Sequence, residues 1–413
     1  MSRLSRRALL AVLPVASVAR ALSGPGKRSP PKGLRTRGPK VVVVGAGAFG
    51  GWTALYLLRR GAKVTLLDAW GPGNSRASSG GETRVIRATY GPNRVYVQMV
   101  ARALRLWREN EERWGKRLYR RTGALWMAGK DDRFEKASLP LLREAGLAFE
   151  ELTVGDAAKR YPQINFQRIE WSIVEKEGGY LTARRACEAV LEGFQSEGGE
   201  YRQVSASPAA IEGGKFPGLS LSDGTKLVGD AYVFACGPWL GKLFPEAMGN
   251  LIHPTRQEVF FFGTPAGDSR FSEETLPVWI DNGERLFYGI PGNQWRGFKV
   301  ADDTRGAPFD PTSGERVASL EGLEKARDYL GFRFPALKGS PLLESRVCQY
   351  ENSPDQHFIV DRHPDAGNVW LVGGGSGHGF KHGPAMGELV AGNVLGKKPT
   401  EPFFSLSRFK ARA

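Results

Sequence analysis

Four stretches of the 413-residue chain hold residues whose types and spacing could do chemistry. Gly45-Ala46-Gly47-Ala48-Phe49-Gly50 offers backbone N–H groups unhindered by side chains, which suits gripping a phosphate. Thr83-Arg84-Val85-Ile86-Arg87 sets two guanidinium groups three residues apart behind a glycine-rich loop. Each could fork onto a carboxylate or a phosphate. Arg346-Val347-Cys348-Gln349-Tyr350 carries one of only three cysteines, which is either a buried apolar filler or a nucleophile. Gly373-Gly374-Gly375-Ser376-Gly377-His378-Gly379-Phe380-Lys381 places an imidazole and an ammonium in a loop with little side chain of its own. His378 and His382 stand four apart, but Gly379 interrupts a regular helix and no third ligand pattern accompanies them, so no metal site is expected. Cys187, in a helical pattern, and Cys236, at a strand end, read as packing residues. Three cysteines so scattered do not make a disulfide framework.

Each stretch needs an element to hold it. Lys40 to Val44 reads as a buried parallel strand, Ala48 to Arg60 as a helix capped by Gly61, and Lys63 to Leu67 as a second buried strand ending at Asp68. In this unit Gly45 permits the tight turn, Gly47 lets the backbone approach a pyrophosphate, and Gly50 lets helix and strand pack closely. Asp68 can accept hydrogen bonds from an adenosine ribose, which points to FAD or NAD and disfavours NADP. The second glycine cluster follows a strand, Asn368 to Val372, and precedes a helix from about Pro384 to Val394. Two strand–loop–helix units more than 300 residues apart suit a long ligand held at both ends. The second helix N-terminus could stabilise negative charge on a reduced flavin ring, so FAD is the expected cofactor.

The net charge of +15 suggests nucleic acid at first sight, but its distribution argues otherwise. Residues 1–40 carry ten arginines and lysines and no acid, which leaves +5 for the rest of the chain. No basic patch interleaved with aromatics stands out, so no nucleic-acid partner is expected. Arg6-Arg7 precede a short apolar run from Ala8 to Ala19, and Ala19-Arg20-Ala21 offers a small-x-small cleavage site. This pattern predicts a twin-arginine export signal and a periplasmic protein, with a cytoplasmic or mitochondrial location as the alternative. Residues 22–38 read as a linker, and no apolar run is long enough to span a membrane.

With these motifs in order, the chain resembles the glycine/D-amino-acid oxidase family of flavoproteins, within it the monomeric sarcosine oxidase and N-methyl-amino-acid oxidase branch. The resemblance runs from Val41 to about Gly392. It is carried by VVVVGAGAFG, GGETRVIRATYG (80–91), ACGPWLGKL (235–243), TRQEVFFF (255–262), FYGIPGNQWRGFKV (287–300), RVCQYENSPDQHFIVD (346–361) and GGGSGHGFKHGPAMGEL (373–389). It implies that Cys348 is bonded covalently to the flavin ring methyl. It implies that Arg87 and Lys381 anchor the substrate carboxylate, that Arg84 lies near the flavin, and that His378 lines the pocket. It also implies that Lys299 promotes electron transfer to oxygen and that Tyr288 and Tyr350 wall the pocket. Cofactor contacts are then expected at Gly45, Gly47, Gly50, Asp68, Ser78, Cys348, Gly377 and Gly379. Two departures bear on the substrate: many sarcosine-type relatives have histidine where Gly80 stands, and another where Asp303 stands.

The implied architecture is α/β, a Rossmann-like FAD-binding domain interleaved with a mixed-sheet α+β substrate domain. Residues 39–121, 172–250 and 346–400 are assigned to the first and residues 122–171 and 251–345 to the second, after an export signal and linker over 1–38. The implied function is an FAD amine oxidase, a monomer, that oxidises secondary or N-methyl amino acids and reduces O2 to H2O2. A dehydrogenase with a carrier acceptor and a non-catalytic flavin-binding protein are the alternatives.

Overall fold

Val41 to Val44 are all buried, which for four successive residues requires a strand covered on both faces. In the computed structural model, which describes residues 38–410, they lie at the middle of a six-stranded sheet. Of the segment read as leader and linker, residues 1–37 lie outside the described residues. The strand order is Ile359–His363, Ala366–Gly373, Ala231–Phe234, Lys40–Val44, Lys63–Asp68 and Glu200–Gln203. All neighbours are parallel except the first pair. Helices Ala48–Arg59 and Gly383–Val394 pack together on one face. Their approach depends on Gly387, where a Cβ would collide with the Trp52 backbone.

An eight-stranded sheet forms the second layer system. Its order is Leu342–Asn352, His253–Phe262, Phe298–Asp302, Leu286–Ile290, Val278–Asn282, Ala124–Ala128, Trp171–Glu175 and Phe149–Thr153. It is antiparallel apart from the pair Val278–Asn282 and Ala124–Ala128. Helix Leu320–Arg333 covers it through Ala326, Tyr329 and Leu330, packed with Trp279, Phe298 and Phe334. Arg333 and Tyr329 both reach the buried Asp281, at 2.7 and 2.9 Å, and lock the helix to the sheet. Removing one partner of such a buried pair costs about 3–5 kcal/mol. A small sheet of Thr83–Ile86, Gly179–Thr182 and Tyr119–Arg120 carries Arg84.

Two of the segment boundaries read from sequence cut through strands of the larger sheet. Trp171–Glu175 pairs with Ala124–Ala128, and Leu342–Asn352 pairs along its length with His253–Phe262. Residues 172–175 and 346–352 therefore sit in the eight-stranded sheet and not with the nucleotide-binding strands to which they were assigned. An apolar run announces a strand, but the partner that it joins is settled by packing far along the chain. Among the described residues, no helix is long and apolar enough to cross a membrane.

Candidate active site

A cavity open at its mouth crosses the carboxyl ends of the parallel strands. It runs from Asp68 and Trp70, past Gly45, Gly47 and Ala48, to Ser78 and Arg84, and on to Cys348, Tyr350, Gly377 and Gly379. Gly45 has φ +105, the turn that leads strand into helix, and its amide is tied to the Leu67 carbonyl at 2.7 Å. A Cβ at Gly50 would overlap the Gly45 carbonyl. The first turn of the helix Ala48–Arg59 has no acid, so its N-terminus is free to favour an anion. Gly50→Ala is expected to cost roughly 1–3 kcal/mol of stability by overpacking and to lower the flavin bound per protein. Denaturant midpoints and the flavin-to-protein absorbance ratio check this; undiminished flavin would show that the loop is not the cradle.

Asp68 proves to be a loop-holding residue as much as a ligand. Its carboxylate accepts from the amides of Ala46 (2.7 Å), Trp70 (2.9 Å) and Gly71 (2.8 Å). Burial nonetheless pushes its pKa above the usual carboxylate value. With about four acceptor sites per carboxylate, roughly one remains for a ribose.

Glu351 was not legible as a site residue. It is buried in the cavity wall, Oε1 accepting from the Gly375 amide at 3.2 Å, and burial pushes its carboxyl up to about 7. Its Oε2 and the Ser78 Oγ are buried beside each other, and apart from this mutual approach neither has a hydrogen-bond partner among the described residues. Together the glycine turn, the acid-free helix start and these two buried polar groups in the cavity wall fit FAD. Strand alternation held the clue to Glu351, because it shares the buried face of its strand with Val347 and Gln349.

Cys348 and Tyr350 lie on the other face of that strand and line the cavity. Arg84 Nη2 reaches the Cys348 sulfur at 3.4 Å and also donates to the carbonyls of Ser78, at 2.9 Å, and Gly80. The Gly80 position has no room for a side chain, since a Cβ there would overlap the Asn74 carbonyl. Gly377, with φ +78, lets the Tyr350 ring lie against the second glycine loop, and Gly379 does the same for Phe49. Burial raises the thiol pKa of both Cys187 and Cys236, in keeping with packing roles. Among the described residues no group of three or more His, Cys, Asp or Glu could hold a metal ion.

Beyond Tyr350 lies a second cluster. Lys299 is 2% exposed, and its Nζ donates to the Thr83 carbonyl at 3.2 Å. Burial first, then Arg84, lowers its pKa to about 7. The Tyr288 ring lies 5.5 Å from that ammonium. Arg87 stacks over Tyr90 at 4.1 Å and Trp126 at 5.0 Å, with Nη1 on the Thr89 carbonyl at 2.7 Å. Glu175 fixes this turn by accepting from the amides of Ala88 and Thr89 and from Trp126 Nε1. Lys381 Nζ donates to Tyr90 Oη at 3.0 Å and to the His378 carbonyl at 2.9 Å. Burial, then Arg87, drives the Lys381 pKa far below that of an ordinary lysine, and burial and Lys381 do the same to His378. Tyr90, which sequence reading passed over, is the hub, in contact with Arg87, Lys381, His378 and His382. Trp295 stands fully in solvent on a left-handed turn and shapes no buried wall.

Arg84 lines the cavity, Lys299 meets it at the Thr83 carbonyl, and Arg87 and Lys381 meet at Tyr90; none of the four has a carboxylate within ion-pairing distance among the described residues. Buried cations without acid partners are costly unless an anion joins them. The comparisons with known proteins agree with a flavin site. The FAD dependent oxidoreductase model matches residues 40–392. The chain is 29% identical to a monomeric sarcosine oxidase of Bacillus sp. (strain B-0618), an alignment that covers 89% of this chain and 95% of the other. It is 30% identical to an N-methyl-L-tryptophan oxidase of Salmonella agona (strain SL483), covering 89% and 98%. The fold matches L-proline dehydrogenase from P. horikoshii with a TM-score of 0.80 at 20% identity, over 91% of this chain and 98% of that one. With its nucleotide cradle, its partnerless cations and a family match over most of its length, the chain belongs to the FAD-dependent oxidoreductase family.

Proposed function

We propose that the protein oxidises secondary or N-methyl amino acids, with FAD as the immediate acceptor and O2 reduced to H2O2. The observation that carries this reading is the set of four buried or half-buried basic side chains without ion-paired acids, Arg84 at Cys348 in the cavity wall and Lys299, Arg87 and Lys381 packed behind it. When bound, FAD supplies a two-electron acceptor for the hydrogen and electron pair on the carbon next to nitrogen. Arg87 and Lys381 take the substrate carboxylate, Arg87 by two parallel bonds from a guanidinium already braced by Tyr90 and Trp126. Tyr288 and Tyr350 close the sides and exclude water. Lys299 holds positive charge where oxygen is reduced. The oxidised substrate, an imine, hydrolyses to an aldehyde and a primary amino acid when it began as an N-methyl compound. The names of the two oxidase relatives support this substrate class.

Three further points belong to the proposal. The flavin is attached through Cys348, which lines the cavity with the Arg84 guanidinium 3.4 Å from its sulfur. The enzyme works as a monomer. Arg6 and Arg7 direct it through twin-arginine export, a route that suits a protein loaded with cofactor before it crosses. The function is tested with sarcosine, N-methyl-L-tryptophan, proline and pipecolate, followed by anaerobic bleaching of the flavin and by peroxide release. At least one should bleach the flavin and yield peroxide on admission of air. Bleaching by none would remove the substrate class.

A further inference from the structure

Asp303 belongs to none of the roles above, yet it faces the same cluster. It follows the strand Phe298–Asp302, and its amide is fixed to the Leu286 carbonyl at 2.8 Å. Its Oδ1 accepts from Tyr350 Oη at 2.6 Å. Its Oδ2 accepts no hydrogen bond among the described residues. Arg87 and Lys381 act on its charge, but neither closes to an ion pair with it. Lys299, Tyr288 and Tyr90 also lie within its field. So does Asp302, its chain neighbour.

Opposite charges in a poorly hydrated space close on each other unless something belongs between them. Here two cations with no ion-paired acid act on a nearby carboxylate that keeps a free oxygen, yet do not close on it. A molecule that carries both charges a short distance apart would satisfy all three, its anion on Arg87 and Lys381 and its cation on Asp303. An α-amino acid is such a molecule. A simple amine has nothing for the two cations, and a carboxylic acid without nitrogen leaves Asp303 unsatisfied and repels it.

We infer that Asp303 is the specificity residue for the substrate nitrogen: it binds the amino group as a cation and selects zwitterionic amino acids over carboxylates of the same shape. The inference rests on the amino-acid reading of this site. Tyr350 is part of the device, because its hydroxyl occupies Oδ1 and leaves Oδ2 for the ligand.

The test compares two ligands of one shape, N,N,N-trimethylglycine and 3,3-dimethylbutyrate, which differ by a cationic nitrogen in place of a carbon. Neither can be oxidised as an amine, so the holoenzyme reports binding alone, through perturbation of its flavin absorbance. The wild type is expected to bind the zwitterion more tightly. In Asp303→Asn, which keeps an acceptor for Tyr350, the zwitterion should weaken roughly 10- to 100-fold through loss of the charge attraction, since its quaternary nitrogen has no N–H to donate. The carboxylate should bind as well as before or better, and Asp303→Glu should restore part of the preference. Equal weakening of both ligands would mean a merely structural role and would overturn the inference. So would an unchanged ratio, or a wild type that binds neither ligand. The two readings fail separately. A shifted ratio in an enzyme whose flavin no N-methyl amino acid bleaches would sink the proposed activity and leave Asp303 in place. Normal bleaching with an unshifted ratio would do the reverse.

Discussion

Cys348→Ala is expected to release all of the yellow colour into the supernatant when the purified protein is precipitated with acid, whereas the wild type keeps it in the pellet. The sulfur lies on the cavity face of its strand, two residues from Tyr350 on the same face. Arg84 holds it at 3.4 Å, and that guanidinium is itself anchored by the carbonyls of Thr83, Ser78 and Gly80. A thiol so placed meets a long ligand at its far end from the Gly45–Gly50 loop. Neither other cysteine is expected to substitute. Cys187 is buried in the helix Ala183–Ser196, and Cys236, though it also lines the cavity, turns its sulfur toward the Val44 carbonyl at 3.5 Å, beside the Gly45 turn. Mass analysis of the peptide that contains Cys348 gives the same answer independently. Colour in the supernatant of the wild type would leave Cys348 a packing residue and the FAD noncovalent.

Lys299→Gln is expected to slow reoxidation of the substrate-reduced enzyme by oxygen about 10²–10³-fold, the usual effect of removing one fixed donor from a site of developing charge. Reduction by substrate should change much less, because Arg87 and Lys381 remain to hold the carboxylate. The pH profile carries the sign. Only the protonated lysine stabilises developing superoxide. Burial and Arg84 lower its pKa to about 7, so the wild-type reoxidation rate falls as pH rises past that value. An anion bound nearby favours the cation and moves the fall upward, never below. In Lys299→Gln the profile should be flat. Stopped-flow traces from pH 6 to 10 decide the matter; an oxygen reaction untouched by the substitution would give Lys299 a packing role.

The nucleotide-binding half was legible because its signals are local. Four valines, a glycine turn, a helix and Asp68 fall within thirty residues, and each residue type has one backbone reason to be there. The glycine loop 373–379 could be read for the same reason. Legibility ended where neighbours in space are distant in sequence. Tyr90 looked like an ordinary aromatic after the arginine pair, yet it meets Lys381 from 291 residues away. Glu351 carried no signal of its own until its strand was placed, with Cys348 and Tyr350 on one face and Glu351 on the other. Asp303 could be seen to depart from the pattern, but its purpose could not be read without Tyr350, 47 residues on, and the two cations across from it.

By itself, then, the sequence determined the dinucleotide cradle and the fold class, which follow from residue type and local spacing, while the roles expected of Cys348 and of the cations came only from the family resemblance. Tertiary structure alone decided which sheet Leu342–Asn352 joins, that Arg84 meets Cys348 across 264 residues, and that Asp68 already spends most of its lone pairs on its own loop. The physical reason is that alternation along a strand says which side chains share a face. What that face meets depends on burial and pairing summed over the whole chain.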